Sequence, residues 1–396
     1  MADRGNLPAA AQEAVQRKKA LSYTGPTQEA RLWGPASQIQ PGAVRCHLCA
    51  HACLIPKGGV GACLVRRNEG GRLRTLSWGH ADGLAIDPIE KKPFFHFRPG
   101  SSVLSFGTLG CNFRCLNCQN WQLSQGLREA GSRAAFGQQM LEPKTIAETA
   151  VKQKVDGIAY TYSEPTIFFE YAYDTIQECR KRMAKGAKNA SRLPADFFHV
   201  FVSNGYFSKE MLDLVEKERL LSAIRIDLKF MDDEKYWKVC GGRLQPVLDS
   251  IKRVAALRQS ADWPIHLEVI NLVIPGLNDS DDDLRAVSSF IASLSPDIPL
   301  HFSRFFPQYK MEDVPPTPLE RLQRARTLAQ DAGVRHAYIG NTGTPGGEDT
   351  HCPKCGELLI ERRAFGIVKN TFEKEKGKKR ADPRCPSCGQ PIAIIL

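Results

Sequence analysis

Three cysteines in the run CNFRCLNC, at Cys111, Cys115 and Cys118, constrain this 396-residue chain more than any other feature. Their C-x3-C-x2-C spacing lets three thiolates wrap three corners of one [4Fe–4S] cube, leaving the fourth iron without a protein ligand. An open iron can take the amino and carboxylate groups of S-adenosylmethionine. An electron from the cluster can then break the sulfonium C–S bond to give a 5′-deoxyadenosyl radical, chemistry that the cofactor carries and the protein aims. The competing reading is a closed structural zinc site, which wants four ligands, usually as two close pairs. The next Cys or His after Cys118 is Cys179, too far along the chain to complete such a pair locally.

The rest of the cysteine inventory points the same way. No apolar run reaches the ~18 residues of a membrane span, and the N-terminal segment MADRGNLPAAAQEAVQRKKA lacks an apolar signal core. A cytoplasmic location is therefore expected, where thirteen cysteines imply metal ligation rather than disulfides. Eleven fall into three spaced groups, and Cys179 and Cys240 are left as packed thiols. The formal charge of +11 permits nucleic-acid contact without requiring it. Part of the excess sits in KEKGKKRADPR (374–384), which reads as a solvated basic loop.

Three domains are expected: an N-terminal arm and Cys-rich metal-binding region (1–98, with a short helix over 9–19), a (β/α)6 barrel (99–340), and a zinc-ribbon domain (341–396). Between Val103 and Gly340, short apolar runs alternate with helical periodicity, which predicts an α/β fold with a parallel sheet. The predicted strands are 103–107, 157–162, 199–203, 223–228, 266–273 and 300–306; six strand–helix units make an incomplete barrel. Residues 186–198 look like a surface insertion. Polar residues gather where barrel chemistry sits, at strand C-terminal ends: the cysteine loop, then Ser163–Thr166, Ser203–Tyr206, Asp227–Lys229, Asn271, and His301, Ser303 and Arg304. Each is weak alone, since Gly or Asn after a strand is often only a turn.

At these positions the chain resembles the radical SAM enzyme of the AmmeMemoRadiSam system, a family related to pyruvate formate-lyase activating enzyme. The resemblance rests on DPIEKKPFFHFRPGS (87–101), GTLGCNFRCLNCQNW (107–121), GIAYTYSEPTIFFEY (157–171), VSNGY (202–206), DLK (227–229), CGGRLQPVL (240–248), IPGLNDS (274–280) and HFSRFFPQYKM (301–311). It implies a radical SAM barrel with the cluster on Cys111, Cys115 and Cys118. It further implies Glu164 near the methionyl ammonium, Ser203, Asn204 and the Gly205 backbone near the sulfonium or ribose, Lys229 on the methionyl carboxylate and His301 at the nucleoside rim. Asp227 is free to salt-bridge Lys229 or hold a small cation. Against these stand ordinary structural roles: a capping glutamate before Pro165, and a satisfied strand-end histidine. The sequence departs from the family in having Asn117 where an aromatic often packs near adenine, and Ser163 where Asn is common. The substrate is the part these departures leave least defined.

Two further metal sites are expected. Cys352, Cys355, Cys385 and Cys388 form two C-x2-C knuckles, each followed by Gly, the pattern of a zinc ribbon with a structural role; a rubredoxin-type iron site is the alternative. Cys46, Cys49, Cys53 and Cys63, with His47 and His51 interleaved, make a second site. Zinc is the first choice there and an auxiliary iron–sulfur cluster the second, the site being expected to pack against the barrel.

The leading function is an activating-enzyme-like oxidoreductase. It would cleave S-adenosylmethionine reductively and abstract hydrogen from a protein or small-molecule substrate, drawing electrons from a flavodoxin- or ferredoxin-like one-electron donor. A zinc-ribbon nucleic-acid binder and an iron–sulfur electron carrier are the alternatives. The first leaves the strand-end motifs unexplained and lacks aromatics interleaved with basic residues; the second needs no cofactor pocket.

Overall fold

The apolar runs assemble into one sheet of eight strands lying side by side in sequence order. They are β1 (Asp82–Pro88), β2 (Ser102–Gly107), β3 (Gly157–Tyr160), β4 (Phe198–Ser203), β5 (Ala223–Asp227), β6 (His266–Val273), β7 (Leu300–Arg304) and β8 (Ala337–Gly340). The computed structural model describes residues 25–129, 140–183, 193–372 and 383–396. The expected helix over 9–19 lies outside the described residues, as do most of the 186–198 insertion and of the basic run 374–384. Among the described residues no helix is long and apolar enough to cross a membrane.

β2 to β8 run parallel, and β1 pairs antiparallel with β2. The interior strands are apolar along most of their length because both faces are covered, as a parallel sheet requires. β1 is different: Leu84 and Ile86 are 41% and 50% exposed, and its flanking Asp82 and Pro88 suit an edge. The sheet therefore begins within the span expected for the N-terminal region. The crossovers are α1 (Pro143–Gln153), α2 (Phe169–Met183), α3 (Lys209–Lys217), α4 (Asp233–Cys240), α5 (Leu244–Leu257), α6 (Asp281–Leu294) and α7 (Leu319–Asp331). Ser208, Asp232 and Ser280 cap α3, α4 and α6 by accepting from the amides of Met211, Lys235 and Asp283. All six predicted strands are present. β1 and β8 are additional, and several predicted ends were one to two residues long, as at 157–162 and 300–306.

The N-terminal end of the half-barrel is plugged by its own chain. Ile89, Phe94 and Phe97 pack on Val103, Ala159, Phe198, Val200 and Ala223. Glu268 on β6, fully buried, accepts from the amides of Phe95 (2.9 Å) and His96 (2.8 Å) and from Nε2 of His266 (3.0 Å) and His301 (2.7 Å). Those bonds hold its carboxyl well below the usual range although burial opposes ionisation.

The N-terminal region forms two small antiparallel sheets: Trp33–Pro35 with Val44–Cys46 and Leu54–Ile55, and Gln28–Glu29 with Arg72–Thr75 and Arg66–Glu69. It packs on the barrel through the Ala50 amide, which donates to Tyr206 O, and Ser208 Oγ, which donates to Leu48 O. The ribbon carries strands Thr350–His351, Leu358–Arg363 and Gly366–Asn370. Its buried Arg362 reaches back to donate to Phe95 O (2.7 Å), and the Ile395 amide donates to His96 O (2.8 Å).

Candidate active site

The loop after β2 carries Cys111, Cys115 and Cys118 across the C-terminal end of the sheet. Its backbone is pinned from two sides: the amides of Arg114 and Leu116 donate to Cys240 O (2.8 Å) and Val239 O (3.0 Å) at the end of α4, and Gly110 N donates to Leu123 O. The three thiols open on a cavity of about 260 Å³, walled also by Asn117, Ser163, Ser203, Asn204, Asp227, Lys229 and Ser303. The ends of β3, β4, β5 and β7 thus deliver polar groups to one hollow beneath a loop with three sulfurs, while β6 contributes the apolar Ile270 and Leu272. A second cavity of about 450 Å³ adjoins it, sharing Tyr162 and Arg225 and adding Lys92, His301 and Glu348.

Charge around the thiols is uneven. The Cys115 thiol is held below its ordinary pKa, first by a hydrogen bond with Cys240 and then, against burial, by Lys229. Burial pushes Cys111 well up, and the nearby Glu164 adds to the shift; burial also raises Cys118, whose sulfur lies 3.0 Å from Ser124 Oγ. Lys229 Nζ donates to Asp227 Oδ2 at 3.0 Å, and Arg225 meets Oδ1 at 2.5 Å. Burial works against the Lys229 ammonium, yet Asp227 and Cys115 hold it well above the usual lysine range. Asp227 is likewise held below the carboxylate range by Arg225 and Lys229 against its burial. Asn117 Oδ1 is buried and has no partner among the described residues, an acceptor at the cavity wall awaiting an N–H.

Two residues sit differently from expectation. Glu164, 1% exposed, does not line the cavity. It is the N-cap of the turn Pro165–Phe168, the capping role weighed above. Its Oε1 accepts from Thr166 N (3.0 Å), Thr166 Oγ1 (2.6 Å) and Ser203 Oγ (2.7 Å), and its Oε2 from Asn204 N (2.8 Å). The carboxylate is used up in stitching the end of β3 to the end of β4. His301 is 2% exposed, bonded to Glu268, and stacked on Tyr338; it walls the second cavity rather than the first. Asn204 is also fixed, its Nδ2 donating to Asn112 Oδ1 at 2.8 Å. The turn that follows needs glycine, since Gly205 has φ +70 and a Cβ there would fall 2.6 Å from Ile226 Cγ2. Residues the sequence reading missed are Arg225, which sits beneath Asp227, and Cys240, whose pairing with Cys115 joins segments far apart in the chain.

Of the two four-cysteine groups, the C-terminal one is compact. Cys352 and Cys388 sulfurs lie 3.6 Å apart, Cys355 and Cys385 3.5 Å, and all four fall within 4.8 Å of one another. The knuckle glycines close each turn, Gly356 N donating to Cys352 O and Gly389 N to Cys385 O. Cys46, Cys49, Cys53 and Cys63 line a common recess with Arg66 and Ile167.

The model of the radical SAM superfamily matches residues 106–287, from the end of β2 into α6. An uncharacterized protein of Methanocaldococcus jannaschii is 41% identical over 360 residues, covering 91% of this chain and 98% of its own. The pyruvate formate-lyase-activating enzyme of Staphylococcus aureus is 23% identical over 199 residues, 50% of this chain and 71% of that one. A 4-hydroxyphenylacetate decarboxylase activating enzyme of Clostridioides difficile is 27% identical over 135 residues, 34% and 37% of the two chains. The chain belongs to the radical SAM superfamily and is an enzyme of that class. Its named relatives include activating enzymes, and cleavage of S-adenosylmethionine at an iron–sulfur cluster is the general mechanism of the class.

Proposed function

We propose that the chain cleaves S-adenosylmethionine reductively at a [4Fe–4S] cluster and abstracts hydrogen from a protein or small-molecule substrate. The observation that carries this reading is the joining of three thiols, and not four, to a polar cavity at the sheet's C-terminal end. The residues fit the group. Three soft donors suit three irons of a cube, and the unpartnered Asn117 Oδ1 and the Lys229 ammonium offer one acceptor and one cation beside them. When bound, the cluster and S-adenosylmethionine supply a 5′-deoxyadenosyl radical.

The chain's own residues bind, orient and shield. Cys111, Cys115 and Cys118 would hold the cluster. Lys229, kept charged and aimed by Asp227, would take the methionyl carboxylate through a charge-assisted bond. Ser203 and Asn204 would contact the cofactor laterally, and Asn117 would accept from an N–H of it. Glu164 is a positioning residue: it fixes Ser203 and Asn204 and does not touch the ligand. The adjoining cavity, with Lys92, Tyr162 and Arg225 on its wall, would receive the substrate, and His301 with Glu268 would brace that wall. We further propose zinc in the C-terminal ribbon, because tetrahedral Zn–S bonds of about 2.3 Å set sulfurs about 3.8 Å apart. A flavodoxin- or ferredoxin-like protein would supply the electron.

The test is a Cys111→Ala/Cys115→Ala/Cys118→Ala variant, prepared anaerobically beside the wild type. The variant should lose about four iron atoms and all reductive formation of 5′-deoxyadenosine. Retained cleavage in the variant would refute the reading.

A further inference from the structure

We propose that Cys46, Cys49, Cys53 and Cys63 hold a second [4Fe–4S] cluster, closed by four thiolates, which passes one electron to the cluster of the barrel site. The electron-transfer half of this inference rests on the function proposed above; the metal site does not.

The spacing of the sulfurs separates iron from zinc. Among the described residues, the ribbon tetrad is the group whose ligand atoms all lie within 4.8 Å of one another, as one small ion demands. Cys46, Cys49, Cys53 and Cys63 face one recess without gathering that closely. The same is true of Cys111, Cys115 and Cys118. A cube presents its thiolates from different corners, roughly 6 Å apart, so an open arrangement is what a cluster needs and a zinc ion does not. By this internal comparison the N-terminal tetrad matches the barrel triad and differs from the ribbon.

The lining supports a buried anionic group. Leu48, Ile55 and Ile167 supply apolar walls. Arg66, also on the wall, is 1% exposed, with Nε and Nη1 unpartnered among the described residues; only its Nη2 is engaged, by Arg31 O at 2.5 Å and Glu170 at 3.1 Å. A buried guanidinium with idle donors at a ring of four thiols is matched by the net negative charge of a cluster with four thiolates. Cys53 Sγ already accepts from the Ala62 amide at 3.4 Å.

The two cysteine sites abut. Gly110 has φ +97, and a Cβ there would fall 2.9 Å from Cys63 O, so the chain leading into Cys111 lies directly on the chain at Cys63. One guanidinium nitrogen of Arg128 donates to both Ala62 O (2.5 Å) and Cys111 O (3.1 Å), and His51 Nε2 bonds Asn112 O at 2.8 Å. On the far side, Cys49 lies on the wall of an open groove with Phe207 and Lys209. An electron entering there from an external low-potential one-electron carrier would reduce the second cluster from 2+ to 1+. Its transfer inward would return that cluster to 2+ and reduce the barrel cluster from 2+ to 1+, with no proton moved.

The metal count leaves the N-terminal cysteines untouched. Anaerobically reconstituted wild type should hold about eight iron and eight sulfide per chain, and the Cys111→Ala/Cys115→Ala/Cys118→Ala variant about four of each, with one zinc in both. A triple variant free of iron and holding two zinc ions would overturn the second cluster while leaving the barrel reading intact. A wild type with about four iron, all retained in the triple variant, would instead overturn the barrel reading. For the relay, Cys49→Ala is compared with wild type by stopped flow under two reductants. Reduction of the barrel cluster by reduced ferredoxin should slow at least about tenfold, and reduction by dithionite should not. Equal slowing or no slowing with ferredoxin would overturn the relay.

Discussion

Glu164 offers a test that separates positioning from direct binding. Its carboxylate accepts four hydrogen bonds, three at Oε1 and one at Oε2, from Thr166, Ser203 and Asn204. Glu164→Ala leaves four buried donors without that acceptor. An unsatisfied buried donor costs about 1–3 kcal/mol; with water entering from the adjacent cavity to rescue some of them, the expected loss of stability is about 3–5 kcal/mol. Glu164→Gln behaves differently. Its amide oxygen can keep the three bonds at Oε1, while its NH2 faces the Asn204 amide, so one bond is lost and the charge assistance disappears, about 1–3 kcal/mol in all. S-adenosylmethionine affinity should follow the geometry: about tenfold weaker in Glu164→Ala, where Ser203 and Asn204 are released, and within about threefold of wild type in Glu164→Gln. Iron content should be unchanged in both. The assays are chemical denaturation and equilibrium cofactor binding under anaerobic conditions. A direct ionic partner of the methionyl ammonium would lose affinity equally in both variants, because neither carries charge. Equal weakening, with stability near wild type, would refute the positioning role.

Further outcomes follow from other parts of the molecule. Cys352→Ser should release about one metal ion, zinc by elemental analysis, and lower the melting temperature, because a structural metal site supplies folding energy outright; iron in place of zinc would overturn the ribbon assignment. Burial holds His199 at a pKa of about 3 and His336 at about 4. Both lie below the unfolded value of ~6.5, so the stability they confer is present above that pH and is lost as pH falls toward the folded values, about 2 kcal/mol each by pH 5. The gap in unfolding free energy between wild type and His199→Asn should therefore shrink by about 2 kcal/mol from pH 7.5 to pH 5. A constant gap would mean that His199 is not held neutral by the fold.

Much of the barrel was readable because β2 to β7 are bounded apolar runs whose chemistry does not depend on distant partners. β1 was not: DGLAIDP exposes alternate apolar residues and carries Asp at two positions, so it reads as a loop until its pairing with β2 is known. β8 is four residues of ordinary composition. At the site, the thiols and the Asp227–Lys229 pair were legible because neighbours in sequence share the strand end. The Glu164 carboxylate was harder. Glu before Pro165 announces a cap, but its engagement by Ser203 and Asn204 is a contact across some forty residues. His301 could be recognised as a strand-end histidine but not as a partner of Glu268, because periodicity says nothing about which buried acid it will meet.

The plug at the base of the barrel has a consequence for the order of events during synthesis. Phe95 and His96 are made early, yet their hydrogen-bond partners include Glu268, Arg362 and Ala393, separated from them by 172 to 297 residues. Phe94 and Phe97 can close on β2 to β5 as soon as Ala223 is made, but the Phe95 ring waits for His301, Tyr338 and Arg362. Contacts of such long range delay the rewarding step behind a large loop-closure cost. A nascent chain halted after β6 would lack the groups that cover the Phe95 ring, His301, Tyr338 and Arg362, leaving an aromatic side chain uncovered, the kind of surface that chaperones hold and that aggregates when they do not. The final residues of the ribbon would then be the latch whose arrival ends that interval.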